Sequence, residues 1–148
     1  MIALGSDHVG YELKKIIMEY LDEKGIPYKD FGHYDQERTD YPMFGEAVAR
    51  AVASSEFEKG LIFCGTGVGI SIAANKVNGI RAVVCSDCYT AKLSRLHNNS
   101  NILSLGSRVV GADLAKTKVE IWLETPYEGG RHQKRLDLIS EIEKKECN

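Results

Sequence analysis

The stretch that most constrains this chain is Cys64-Gly65-Thr66-Gly67-Val68-Gly69-Ile70-Ser71. An apolar run, Gly60-Leu61-Ile62-Phe63, precedes it and reads as a buried strand. Ile72-Ala73-Ala74-Asn75-Lys76 follows and reads as a short helix. A strand that runs into glycines and then a helix brings bare backbone N–H groups together, and the helix dipole adds partial positive charge. That combination makes an anion site. A cysteine near a helix N-terminus is favoured as its thiolate and can serve as base or nucleophile at neutral pH. Two plainer readings compete: the glycines only let the chain turn, and a lone buried Cys is a small hydrophobe.

The rest of the chain alternates strand and helix patterns around this loop. Ile2-Ala3-Leu4 reads as a first strand, and Leu13, Ile16, Ile17, Tyr20 and Leu21 recur at helical spacing until Gly25. Pro27 to Phe31 reads as a second strand. After a polar loop from Gly32 to Asp40, Pro42 opens a helix with Ala47, Val48, Ala51 and Val52 on one stripe. Leu61 to Cys64 is the third strand, Ile80 to Val84 the fourth and Asn101 to Leu105 the fifth, with a helix from about Tyr89 to His97 between the last two. Leu114, Ala115, Val119, Trp122 and Leu123 mark a further helix, which Gly129-Gly130 is expected to break. A last helix runs from about His132 to Lys145, with Leu136, Ile139 and Ile142 on one face.

This order predicts a single domain over residues 1–148. Its class is α/β: a three-layer α/β/α, Rossmann-like fold with a five-stranded parallel sheet and a C-terminal helix. Ligands bind such sheets beyond the C-terminal strand ends. The tips of strands one, three, four and five carry Asp7-His8, Cys64-Gly65, Cys85-Ser86 and Gly106-Ser107-Arg108.

Composition narrows the function. A net charge of −2, with no basic run that could track phosphates, disfavours nucleic acid. No long apolar segment is present, and the N-terminus turns polar by Ser6-Asp7, so the expectation is a cytoplasmic protein with thiols and no membrane association. Cys85-Ser86-Asp87-Cys88 is a CxxC, but no second CxxC or nearby His pair completes a metal site, and a redox or zinc role is disfavoured. Cys147 sits in a charged tail and reads as incidental.

Asp7-His8 is either an Asx-turn beside a solvated His or part of a site. His97 either complements a helix C-terminus or donates a proton. Arg108, Arg131 and Arg135 have the forks that match phosphate oxygens. Arg131 and Arg135 share a face if the last helix begins by Arg131, although a solvated basic face is the plain alternative. His132 and Lys134 are left unassigned, and His33 reads as a surface residue.

Taken together these motifs resemble one family: ribose-5-phosphate isomerase type B, in the group that includes the galactose-6-phosphate isomerase subunits. The matching stretches are Gly5-Ser6-Asp7-His8-Val9-Gly10, Asp40-Tyr41-Pro42, the Cys64–Gly69 loop with Ile72-Ala73-Ala74-Asn75-Lys76, His97-Asn98-Asn99, Gly106-Ser107-Arg108 and Gly129-Gly130-Arg131-His132. The resemblance implies interconversion of ribose 5-phosphate and ribulose 5-phosphate with no metal and no organic cofactor. It implies Cys64 as the base for the C2 proton, with Thr66 and the loop amides of Gly65, Gly67, Val68 and Gly69 holding substrate and enediolate. It also implies His97 as the acid for ring opening, Asp7, His8 and Asn98 as sugar contacts, and Arg108, Arg131 and Arg135 chiefly as phosphate contacts. One branch carries a glutamate that falls at Ile70 here, so this chain resembles the cysteine type. The family forms homodimers with sites shared between subunits; whether dimers pair into tetramers is open. A six-carbon sugar phosphate, allose 6-phosphate or galactose 6-phosphate, is the close alternative substrate. A non-catalytic nucleotide- or phosphate-binding module is the distant one, since Asp7 would repel a pyrophosphate after the first strand.

Overall fold

In a computed structural model describing residues 1–147, five parallel strands form one sheet in the order β2-β1-β3-β5-β4. The strands are β1 (Ile2–Ser6), β2 (Tyr28–Asp30), β3 (Lys59–Cys64), β4 (Ala82–Val84) and β5 (Ile102–Gly106). The helices are α1 (Tyr11–Glu23), α2 (Tyr41–Ala53), α3 (Val68–Asn75), α4 (Cys88–Asn98), α5 (Ala112–Glu124) and α6 (Arg131–Glu146).

β3 lies mid-sheet, its register pairing Leu61 with Leu4 on one side and with Leu103 on the other. Both its faces are covered, which is why its sequence is an unbroken apolar run rather than an alternation. Leu61 and Phe63 join Leu4, Leu103 and Leu105 under α1 and α5, with Trp122 fully buried there. Ile62 and Cys64 face the other way, with Ala3 and Ile102, toward Val48 and Val52 of α2 and Ile70 and Ala74 of α3. The period of two along the strand therefore sends the Cys64 side chain to the α2–α3 face.

From β1 the chain turns one way to β2 and the other way to β3. Such a switch point opens a crevice at the C-terminal ends of the two diverging strands. Asp7 and Cys64 stand at its two lips.

Several elements differ from the sequence expectation. Gly129-Gly130 does not break α5, which ends at Glu124 before an extended Thr125; the glycines instead lead into α6. α3 starts at Val68, not Ile72, and β4 starts at Ala82, not Ile80. Of the expected α6 face only Leu136 is buried, while Ile139 and Ile142 are 42% and 59% exposed. His33 is not a plain surface residue, since its side chain is 21% exposed and its Nε2 lies 2.7 Å from Asp35 Oδ1. Lys14 and Lys118 are buried cations that the apolar pattern did not foresee. Lys14 Nζ reaches Asp30 Oδ1 at 2.8 Å, and burial lowers its pKa while Asp30 partly restores it. No helix among the described residues is long and apolar enough to cross a membrane.

Candidate active site

The glycine loop is built by backbone. Gly67 takes φ +79°, the left-handed region, and caps α3. That conformation favours glycine, and it turns the Gly67 N–H back onto Cys64 Sγ at 3.1 Å. Cys64 is thus the last residue of β3, 4% exposed, with its sulfur under the amide that opens a helix. Ser104 on the neighbouring strand donates its hydroxyl to Gly67 O at 2.6 Å and fixes the turn from beneath. Thr66 is exposed, and its Oγ1 accepts from Val68 N–H at 3.2 Å. That bond orients the hydroxyl while leaving its own proton to be donated.

The neighbouring strand tips converge on this loop. Gly10 packs so closely that a Cβ there would lie 2.4 Å from the Phe63 carbonyl. Asp7 is buried, its Oδ1 accepting the Gly10 N–H three residues on at 2.8 Å, so its carboxylate ties the turn ahead of α1 rather than closing the two-residue Asx-turn the sequence suggests. His8 is half-buried, and its Nδ1 accepts from Thr39 N–H at 3.2 Å. Ser107 N–H donates to Cys64 O and Arg108 N–H to Gly65 O, both at 2.9 Å. Gly65 lies beside the Arg108 side chain, with Nη1 3.5 Å from where its Cβ would be. Tyr41, which opens α2, lies against Gly69, where a Cβ would come within 2.6 Å of the ring. Asp7, His8, Gly65, Thr66, Gly67, Val68, Gly69 and Arg108 therefore share the edge that holds Cys64. Ile70 is fully buried in α3, an apolar position unsuited to a carboxylate.

His97, Asn98, Arg131 and Arg135 do not join them within one chain. α4 starts beyond the C-terminal end of β4 and runs back along the sheet for 11 residues, about 16 Å at helical rise. Its end lies beside the start of β4, where Arg81 Nε donates to the carbonyls of Asn98 at 3.0 Å and Asn99 at 3.1 Å. His97 and Asn98 are thus at the sheet's opposite edge. There the His97 ring stacks on His132, with centroids 4.3 Å apart and planes 16° from parallel. His132 Nε2 lies 3.1 Å from Glu128 Oε2, and His97 Nε2 lies 3.9 Å from the same oxygen. α6 begins at Arg131, so Arg131 and Arg135 are one turn apart, both exposed and beginning beside this cluster.

His132, which the sequence leaves unassigned, is the residue that the structure brings against His97. It is 3% exposed in a helix that is otherwise largely charged. Its only local signal is Glu128 four residues earlier, and its stack on His97 is tertiary.

His97, Glu128 and His132 place their ligand atoms within 4.8 Å of one another. Near-parallel rings direct their in-plane nitrogen lone pairs side by side rather than toward one point, and a nitrogen donating to a carboxylate is not free to ligate. The arrangement suits proton sharing better than a cation. At the CxxC, burial pushes the Cys85 thiol pKa up, away from nucleophilic reactivity.

A cysteine under a helix-opening amide at the switch point of a parallel sheet is the arrangement of an α/β protein with an anion-binding loop beside a sulfur. The chain belongs to the Ribose/Galactose Isomerase family, whose model matches residues 2–139. It is 56% identical over 144 residues to ribose-5-phosphate isomerase B of Escherichia coli strain K12, covering 97% of each chain. Its fold superposes on ribose-5-phosphate isomerase B of Clostridium thermocellum with a TM-score of 0.97, at 54% identity and 99% coverage of both chains. The Mycoplasma genitalium ribose-5-phosphate isomerase B, solved with bound ribulose-5-phosphate, superposes with a TM-score of 0.91 at 43% identity, covering 97% of this chain and 95% of that one.

Proposed function

We propose that this protein is a ribose-5-phosphate isomerase, interconverting D-ribose 5-phosphate and D-ribulose 5-phosphate. The observation that carries the reading is the Cys64 sulfur at the β1–β3 crevice, 3.1 Å from the amide that opens α3. A thiolate is a weak base for a carbon acid, so the loop must stabilise charge as it develops. In the forward reaction the sulfur takes the C2 proton of the open-chain aldose and the carbonyl electrons move onto O1. The O2 proton then passes to O1 as the C2 carbonyl forms, the sulfur returns its proton to C1, and the ketose results. The loop amides and the Thr66 hydroxyl hold the intermediate oxyanion; one such donor is typically worth ~3 kcal/mol in the transition state.

Asp7, His8 and Asn98 contact the sugar, and Arg108, Arg131 and Arg135 the phosphate, whose remote binding energy aligns C2 with the sulfur. The active unit is a homodimer in which Cys64 of one subunit meets His97, Asn98, Arg131 and Arg135 of the other. The return of α4 to the far edge supports this, as do the exposed Leu138, Ile139 and Ile142 of α6. A cytoplasmic location accords with free thiols at all four cysteines.

The test is kcat/KM with ribose 5-phosphate, allose 6-phosphate and galactose 6-phosphate, followed by ketose absorbance or circular dichroism. Ribose 5-phosphate is expected to be the best of the three. A six-carbon preference would reassign the substrate within the family, and no turnover of any would refute the isomerase reading.

A further inference from the structure

We propose that Glu128, together with His132, is a positioning residue for the His97 imidazole, setting it for ring opening. The inference rests on the reading of His97 as the acid that opens the sugar ring.

Three groups from two separate segments are locked together. His97 is in the last turn of α4, Glu128 in the connection before α6, and His132 in the first turn of α6. Glu128 N–H donates to Leu96 O at 3.1 Å, which ties the carboxylate's own backbone to the turn that carries His97. The His97 side chain is 36% exposed, so its ring has room to turn. The buried His132 ring, stacked at 4.3 Å, limits that tilt from one side. Glu128 Oε2 holds His132 by hydrogen bond at 3.1 Å and faces His97 Nε2 at 3.9 Å. A carboxylate on that side attracts the Nε2–H edge, so it fixes the orientation of the ring and leaves the Nδ1–H of the imidazolium as the proton to be supplied.

Opening a furanose needs that control. The C1–O4 bond breaks, its electron pair stays on O4 and takes a proton there, and O1 gives up its proton as the C1 carbonyl forms. An imidazolium that supplies the first proton must have its N–H aimed at one oxygen. Abstraction of the C2 proton afterwards makes no such demand on His97. Loss of Glu128 should therefore impair ring opening and spare enediolate chemistry.

Two readouts on the full-length protein separate these steps. The first is kcat/KM with ribose 5-phosphate, which is cyclic in solution. The second is wash-in of solvent deuterium at C1 of ribulose 5-phosphate in D2O, followed by NMR. That ketose has its C5 oxygen esterified and cannot close a furanose, so exchange begins from an open chain. Glu128→Ala and His132→Ala are expected to lower kcat/KM on ribose 5-phosphate about 10-fold or more while changing C1 exchange by less than about 2-fold. Glu128→Gln keeps an oxygen that can accept from His132 and is expected to fall between. Because Glu128 is exposed, its variants keep the test standing if His132→Ala fails to fold. Equal losses in both readouts, or no loss in either, would overturn the proposal. Wild-type protein inactive on ribose 5-phosphate would instead overturn the isomerase reading.

Discussion

At the C-terminal edge of the sheet Cys64 is held by backbone: the Gly67 amide on its sulfur, the Ser107 amide on its carbonyl, and Gly10 pressed against the strand end. At the opposite edge His97 is held by side chains, one stacked ring and one shared carboxylate. The first arrangement is stiff because peptide groups already fixed by β3 and α3 do the holding. The second lies at the end of a helix, where ring orientation depends on two neighbours. Fixed amides suit charge that develops at one oxygen, whereas an acid for ring opening needs an aimed but titratable group. In the proposed mechanism, the two chemical duties of an aldose–ketose isomerase would be met by two half-sites of different construction.

The sharpest way to break this comparison is to remove the sulfur. Cys64→Ala is expected to lower kcat by about 10³-fold, within the range typical for a general base, while phosphate-anchored substrate binding is largely spared. Calorimetric titration of the variant with ribose 5-phosphate checks the second half of that expectation. Full activity would end the role of the sulfur.

Next in size is the pairing of the half-sites. Cys64→Ala and His97→Ala protomers, unfolded together and refolded as a mixture, are expected to regain roughly a quarter of wild-type activity, because half the dimers are hybrids with one intact site each. Mixtures that stay as inactive as either parent would mean that the two edges do not serve a common site.

The same contrast explains what could be read from the sequence. The Cys64 loop was legible because strand, glycines and helix are contiguous, and their chemistry is local. The buried run of β3 and the alternating elements disclosed the parallel sheet for a similar reason. The start of α3 was misread because Val68 and Gly69 have no helical periodicity before them; the left-handed turn at Gly67, not a propensity, begins that helix. His132 was invisible because its burial comes from a ring on another helix. Lys14 and Lys118 were missed because their partners, Asp30 and the Cys85 carbonyl, are remote in sequence. Ile139 and Ile142 share a helical face with Leu136 in the sequence, yet within one chain they stay 42% and 59% exposed.

The stiffness of the first half-site can be measured at Gly67. Alanine there must adopt φ near +79°, and its Cβ would press to 3.1 Å on both the Ser104 hydroxyl and the Leu105 carbonyl carbon. The left-handed conformation alone costs ~1–2 kcal/mol for an L-residue. Gly67→Ala is expected to lower Tm and to cut kcat more than it raises KM, since it tilts the amide away from Cys64. A variant with unchanged kcat would show that the amide is not needed.

The smallest effect is expected between the half-sites, on the helix that joins them. Asp87 caps α4, its Oδ1 accepting Thr90 N–H at 2.7 Å and its Oδ2 the Thr90 hydroxyl at 2.8 Å. The backbone amide first, then the hydroxyl, holds its carboxyl below the usual carboxylate range. A carboxyl lowered in the folded state contributes stability that is complete above its unfolded pKa and lost as pH falls through the folded value. Asn is also a good N-cap, so Asp87→Asn should change Tm little near neutral pH. In acid it should flatten the decline of Tm with pH, because the titrating group is gone. Isomerase activity should be unchanged, since Asp87 touches neither cluster. An activity loss in this variant would show that α4 transmits strain between the two edges, and the half-sites would then have to be treated as mechanically coupled.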